Sequence, residues 1–174
     1  GIGALLVAPG VELRPGRVGG TGVQSALKTQ PREYPTRMEA GTLNGPGIAG
    51  LGAALEWLEE QNVDVLRRRE QELTRRFYEG VRELPGVTCY GDFSSWERCP
   101  IVSLNLGEQD SARVSDQLCQ RFGIATRSGL HCAPLAHRAL GTEKQGAVRF
   151  SFSHFNTEEE IDQGIQALRT LAAE

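Results

Sequence analysis

The sequence lacks closely paired cysteines and long apolar runs. Its four cysteines are irregularly spaced with no CxxC pair, which suggests neither a secreted disulfide framework nor a zinc ribbon. The longest apolar stretches, such as IGALLVA, are too short to span a bilayer, and no basic stretch precedes them as a signal peptide would require. We therefore expect a cytoplasmic protein that makes no use of a membrane.

The sequence also has little net charge. With 39% hydrophobic residues, 24% charged residues and a net charge of −3, it is typical of a globular protein with no electrostatic bias toward nucleic acid. It begins at Gly1, without a methionine, inside the predicted strand GIGALLVA. We therefore expect a fragment whose natural start lies upstream.

The first third of the sequence predicts only part of a fold. After the first strand comes a tract rich in Gly and Pro over residues 9–47, which includes VGGTGVQS and EAGTLN. Asn44 then opens a helix in which Ile48, Leu51, Leu55 and Leu58 recur at helical spacing. Residues 1–60 do not complete a domain by themselves.

Residues 61–174 predict a small α+β domain with a mainly antiparallel sheet and helices on one face. Helices are expected over residues 63–84 and 111–122 and after the capping box of Thr157 and Glu160, and strands at VTCYG, PIVSLNL, IATRSG and AVRFSFS. In the last strand the alternation with Val148 and Phe150 turns Arg149 away from the core. With residues 1–60 as part of a larger α/β domain, the fold class expected for the whole chain is α/β.

The stretch RSGLHCAPLAH, residues 127–137, contains the most reactive setting for a cysteine. A cysteine nucleophile acts as its thiolate and needs positive neighbours, and Cys132 has Arg127, His131 and His137 close in sequence. A buried, inert thiol remains an alternative. A metal site of His131, Cys132 and His137 is less favoured, because adjacent residues of an extended chain face opposite ways and no fourth ligand is near.

Two further features could have a functional role: the cysteines Cys89 and Cys119, and the segment with Gly41 and Thr42. Cys89 in a strand and Cys119 on an amphipathic helix are expected to be small buried hydrophobic residues. Gly41 and Thr42 lie just ahead of a helix start, where N–H groups and the helix dipole favour a phosphate, although a plain helix-entry turn explains them equally well.

Five segments together resemble one family, the class V aminotransferase-like cysteine desulfurases, in their C-terminal half. They are IGALLV, GGTGVQS, QPREYPTRMEAGTLNGPGIAGL, RSGLHCAPLAH and AVRFSFSHFNTEEEID. The resemblance implies the PLP (pyridoxal 5′-phosphate) fold type I, with residues 1–60 as the tail of the large PLP-binding domain and residues 61–174 as the small domain. It also implies a homodimer and a sulfur-acceptor protein as partners.

The resemblance assigns roles to six residues. Cys132 matches the catalytic cysteine that takes sulfur from L-cysteine as a persulfide and releases alanine, and Arg149 matches the arginine that binds the substrate carboxylate. Arg127 and His131 match positions that line the cysteine loop, and are assigned to substrate binding. Gly41 and Thr42 match a segment that reaches the PLP phosphate of the other subunit.

The lysines depart from the family pattern. PLP enzymes hold their cofactor through a lysine, and this sequence has only Lys28 and Lys144, neither of which matches the family position just upstream of GIGALLV. We therefore expect the chain alone to be inactive. The alternatives are a selenocysteine lyase, another class V enzyme, or an inactive fragment that serves as an interaction domain.

Overall fold

The structure is a computed structural model that describes residues 1–174. The chain divides into two units, Gly1–Gln61 and Asn62–Glu174.

The first unit contains one long helix, α1 (Gly45–Gln61), and an extended segment before it. The predicted helix start is confirmed, since Asn44 Oδ1 accepts a hydrogen bond from the Gly47 amide at 3.0 Å in the manner of an N-cap. The strand predicted at residues 1–8 is wrong, because the only sheet of the chain lies in the second unit and this segment pairs with no neighbour. Leu5 and Leu6 are 71% and 95% exposed, and α1 has no buried residue.

The tract between this segment and α1 is irregular, as predicted, apart from a short 3₁₀ turn at Thr36–Met38. Gln30 holds it together, since its amide group donates to the carbonyls of Thr36 and Glu39 and accepts from the Gly19 amide. A single side chain thus replaces the regular hydrogen bonds of a helix or sheet.

The second unit contains four helices and three strands in chain order. They are α2 (Val63–Val81), β1 (Val87–Tyr90), β2 (Ile101–Leu106), α3 (Ser111–Phe122), α4 (Pro134–Ala139), β3 (Val148–Ser151) and α5 (Glu158–Ala172). Helix α3 has the predicted bounds, with Asp110 as N-cap and Gly123 in the left-handed conformation at its end. The capping box of Thr157 and Glu160 is confirmed at α5. Helix α4, which begins at Pro134, was not predicted, because six residues are too few to show a helical repeat.

The three strands form an antiparallel sheet in the order β1-β2-β3, which confirms the predicted sheet type. The strand predicted at IATRSG is wrong. This segment makes only one bridge, in which the backbones of Arg127 and Arg149 exchange two hydrogen bonds at 2.8 and 3.2 Å. The chain then leaves the sheet edge at Gly129, which has φ +91°.

One apolar face of the sheet packs against α2, α3 and α5. Phe77 of α2 is fully buried, and its ring centroid lies 4.6 Å from that of Phe150 and 5.0 Å from that of Phe152. In β2 the alternation of Val102, Leu104 and Leu106 with Ser103 and Asn105 predicts that Asn105 faces solvent, but Asn105 is only 2% exposed. None of the helices combines the length and apolar composition of a membrane span.

Candidate active site

Cys132 lies on a turn between the Arg127 bridge and α4, and its side chain is exposed. His131 and Cys132 both adopt the left-handed region, with φ of +53° and +59°. Two successive residues with side chains rarely do so, and such strain persists only where the surroundings fix it. The alternative of a buried thiol is therefore wrong, and the turn presents the sulfur to solvent.

Arg127 supplies the cation that the sequence predicted for this thiol. One guanidinium nitrogen of Arg127 donates to Cys132 Sγ at 3.3 Å. A hydrogen bond from a charged donor stabilises negative charge on sulfur, which is the reactive form of cysteine. Of the three predicted cationic neighbours, Arg127 is the one that makes a hydrogen bond to the sulfur.

The hydrogen bond of His131 shows which ring nitrogen carries a proton. Its Nε2 lies 3.0 Å from the Arg127 carbonyl oxygen, and since a carbonyl only accepts, Nε2 carries the proton. Burial lowers the pKa of His131 below its ordinary value, and the nearby guanidinium groups of Arg149 and Arg127 and the neighbouring His137 ring lower it further, against the opposing effect of the hydrogen bond to the Arg127 carbonyl. The Nδ1 atom of the neutral ring is therefore a hydrogen-bond acceptor.

His137 lies in a different environment from the one predicted. It is 4% exposed, and its Nδ1 atom shares a hydrogen bond with Thr142 Oγ1 at 2.8 Å. Its ring centroid lies 5.3 Å from that of His131. His137 therefore contacts His131, and no group of three or more potential metal ligands surrounds the pair.

Arg149 is placed to bind an anion beside the cysteine loop. It lies on β3, directly across the bridge from Arg127, and its Nε atom is buried without a hydrogen-bond partner. A buried donor left unpaired is costly, so a ligand that accepts from it would gain binding energy. The structure thus brings Arg127, His131, Cys132 and Arg149 together.

A buried polar network lies under the loop and was not predicted from the sequence. Asn105 donates through Nδ2 to Gln145 Oε1 at 3.0 Å and to the Gly146 carbonyl at 2.9 Å. Ser111 Oγ accepts from the Gly129 amide at 3.2 Å, and the Gly129 carbonyl accepts from the amide of Ala147 at 3.1 Å. Gly129 of the loop is therefore tied to α3 and to Ala147, and the turn before β3 is tied to β2. The only sequence signal was the polar residue Asn105 in a mainly apolar strand.

The other cysteines differ from Cys132. Cys89 is half-buried, and burial raises its pKa to about 11, so its predicted role as a small buried residue is confirmed only in part. Cys119 is exposed, so the prediction that it is buried is wrong: it lies on the solvent side of α3, whose buried face carries Val114 and Leu118. Cys99 is exposed as well.

Gly41 and Thr42 belong to the first unit. The Gly41 amide donates to the Gly20 carbonyl at 2.7 Å, so it is already paired and is not directed at an anion. Thr42 is exposed, so its hydroxyl group is accessible to a ligand. The hydrogen bond between Gly41 and Gly20 also joins the segments VGGTGVQS and EAGTLN.

The sequence model of the aminotransferase class-V family matches residues 1–163. The chain belongs to this family. A probable cysteine desulfurase of Methanothermobacter thermautotrophicus is 34% identical over 142 residues, which are 80% of this chain and 35% of the relative. A cysteine desulfurase of Salmonella newport is 34% identical over 173 residues, 97% of this chain and 41% of the relative.

Two solved structures of cysteine desulfurases are similar to this chain. The apo cysteine desulfurase of Thermococcus onnurineus has a TM-score of 0.83 at 31% identity, and the match covers 91% of this chain and 39% of that structure. The cysteine desulfurase CsdA of Escherichia coli, in an S-sulfonic acid form, has a TM-score of 0.78 at 26% identity over 90% of this chain and 38% of that structure. The chain therefore corresponds to about two fifths of the length of these enzymes, less than the half expected from the sequence.

Proposed function

We propose that this chain is the cysteine-bearing part of a cysteine desulfurase, and that Cys132 is the residue that receives sulfur from L-cysteine. The observation that carries the proposal is the hydrogen bond from Arg127 to Cys132 Sγ at 3.3 Å on an exposed, strained turn. The relatives named cysteine desulfurase support it. The proposal includes the C-terminal position of the chain, with residues 1–60 from the PLP-binding domain and residues 61–174 as the small domain.

Arg149 is the proposed partner of the substrate carboxylate. Its unpaired, buried Nε atom lies on the strand beside the cysteine loop. A carboxylate bound there would place the substrate near Cys132, and hydrogen bonds between charged groups give such binding its direction. Arg127 and His131 would line the same side of the substrate.

The chemistry requires a soft nucleophile. The Cys132 thiolate forms a sulfur–sulfur bond with the substrate sulfur, the bond between that sulfur and the substrate carbon breaks, and the carbon takes up a proton to give alanine. Sulfur attack on sulfur has the character of thiol–disulfide exchange, for which a serine hydroxyl is a poor substitute. A persulfide remains on Cys132, and because its turn is short, an acceptor protein would have to approach it.

The proposed site has residues that would bind the substrate of a PLP enzyme, but this chain has no lysine at the family position that would hold PLP. When bound, PLP would supply the withdrawal of electrons that lets the carbon–sulfur bond break. Both lysines are exposed, Lys28 beside a cavity of about 580 Å³ in the first unit and Lys144 in the turn before β3. Neither matches the lysine position of the family pattern, so we expect that this chain alone does not complete a PLP site. In the proposed homodimer Thr42 would contact the cofactor phosphate of the other subunit.

The test is Cys132→Ser in the protein that carries this chain. We expect alanine formation from L-cysteine and persulfide formation to be abolished. Cys119→Ser is the matched control, since Cys119 is exposed but lies outside the cationic loop, and it should leave both unchanged. Alanine formation at the original rate by Cys132→Ser would contradict the proposal, and turnover of selenocysteine alone would favour a selenocysteine lyase.

A further inference from the structure

The turn that carries Cys132 needs support from its surroundings. His131 and Cys132 have positive φ values, and neither residue is glycine. Within the turn, the Ala133 amide donates to the Leu130 carbonyl at 2.8 Å, which is one backbone hydrogen bond for two unfavourable conformations. Side chains must therefore supply the remaining support.

The His131 ring is held on two sides. On one side its Nε2 donates to the Arg127 carbonyl at 3.0 Å. On the other side lies the ring of His137, with centroids 5.3 Å apart and planes inclined at 54°. Any movement of the His131 backbone out of the left-handed conformation would move its ring away from both contacts.

His137 is itself fixed by three contacts. Its amide donates to the Ala133 carbonyl at 3.1 Å, and its carbonyl accepts from the Thr142 amide at 2.8 Å. The third contact is the hydrogen bond of 2.8 Å between His137 Nδ1 and Thr142 Oγ1, and both residues are buried, at 4% and 3% exposure. A hydrogen-bonded, buried imidazole has a single orientation, because any other would leave a polar atom unpaired.

We infer that His137 is a positioning residue for Cys132. Held by Thr142, its ring supports the His131 ring and thereby the strained turn that directs the thiol toward the Arg127 guanidinium. The inference rests on the proposed function, because it explains how the proposed nucleophile is held in place. It can nevertheless be tested without substrate or cofactor.

The test is the rate at which iodoacetamide alkylates Cys132 in the 174-residue chain. Thr142→Val removes the hydroxyl with little change of shape, and His137→Phe keeps a ring but loses the hydrogen bond. Because the displaced thiol loses its charged donor, each should alkylate Cys132 about threefold to tenfold more slowly, the effect of one hydrogen bond. Thr142→Ser keeps the hydroxyl and should restore the original rate.

The other cysteines are internal controls in the same sample, with each site followed by mass spectrometry. Cys99 and Cys119 are exposed and lie outside the loop, so their rates should not change. Cys89, whose pKa burial raises to about 11, should stay protected as long as the fold is intact.

Three results would overturn the inference. They are an unchanged or faster rate at Cys132 in both variants, a loss shared with Cys99 and Cys119, and a Thr142→Ser chain as slow as Thr142→Val. If Cys89 becomes reactive in one variant, that variant has unfolded, and the alkylation rate of Cys132 in the other variant tests the inference. An inactive desulfurase would leave these results unaffected, so the proposed function and this inference can fail separately.

Discussion

Gly146 lies against Gly129 so closely that a side chain at Gly146 has no room. A Cβ atom built there would be 2.8 Å from Gly129 Cα and 2.6 Å from Ser111 Oγ, and Gly146 has φ +70°. The turn before β3 therefore rests directly on the backbone of the cysteine loop.

Gly146→Ala should destabilise the second unit. Beyond the cost of its positive φ, the clash with Gly129 and Ser111 should lower the free energy of unfolding by about 1–3 kcal/mol. Gly141→Ala is the matched control, because Gly141 has φ +72° but no atom within 4 Å of a Cβ. Urea denaturation measures both, and equal losses would show that the close approach is not important.

Arg149→Ala should impair use of L-cysteine in the protein that carries this chain. Losing a hydrogen bond between charged groups should lower kcat/KM by about tenfold to a hundredfold. Arg149→Lys keeps the charge but not the forked geometry, and should recover part of the loss. Steady-state alanine formation measures the effect, and a normal kcat/KM for Arg149→Ala would mean that the carboxylate is bound elsewhere.

His131 should titrate below its ordinary value. We expect the midpoint of its imidazole in an NMR titration to lie below 6.5, because burial, the guanidinium groups of Arg149 and Arg127 and the neighbouring His137 ring disfavour its charged form. Because the pKa of His131 is lower in the folded chain than in the unfolded chain, a fall in pH through 6.5 protonates the unfolded chain more readily. Protonation of His131 therefore lowers the free energy of unfolding.

Arg149→Gln is the check on this assignment, since it removes one of the cations and should raise the His131 midpoint. A midpoint at or above 6.5 in the unaltered chain would contradict the burial of His131.

The isolated chain should form no specific covalent adduct with PLP. Both Lys28 and Lys144 are exposed, and neither matches the lysine position of the family pattern. Borohydride reduction after addition of PLP, followed by peptide mass spectrometry, should show no stoichiometric modification of either lysine, whereas a complete cysteine desulfurase treated in the same way should be labelled. A stoichiometric adduct together with sulfide release would show that this chain suffices.

The sequence by itself determined several local elements and drew attention to Cys132. The capping box of α5 was predicted because Thr157 and Glu160 lie within one helical turn of each other, and α3 was predicted because its apolar residues recur at helical spacing. The cysteine loop was found because its charged residues lie within a few positions of Cys132.

Only the tertiary structure decided which of these groups meet. The hydrogen bond between Arg127 and Cys132 depends on two left-handed residues that no sequence pattern predicts. His137 was predicted beside the thiol, but the turn buries it against Thr142 instead, and Asn105 was predicted to face solvent, but the network under the loop requires it inside. These outcomes depend on contacts between residues distant in sequence, and a periodic pattern records only which face of an element is apolar.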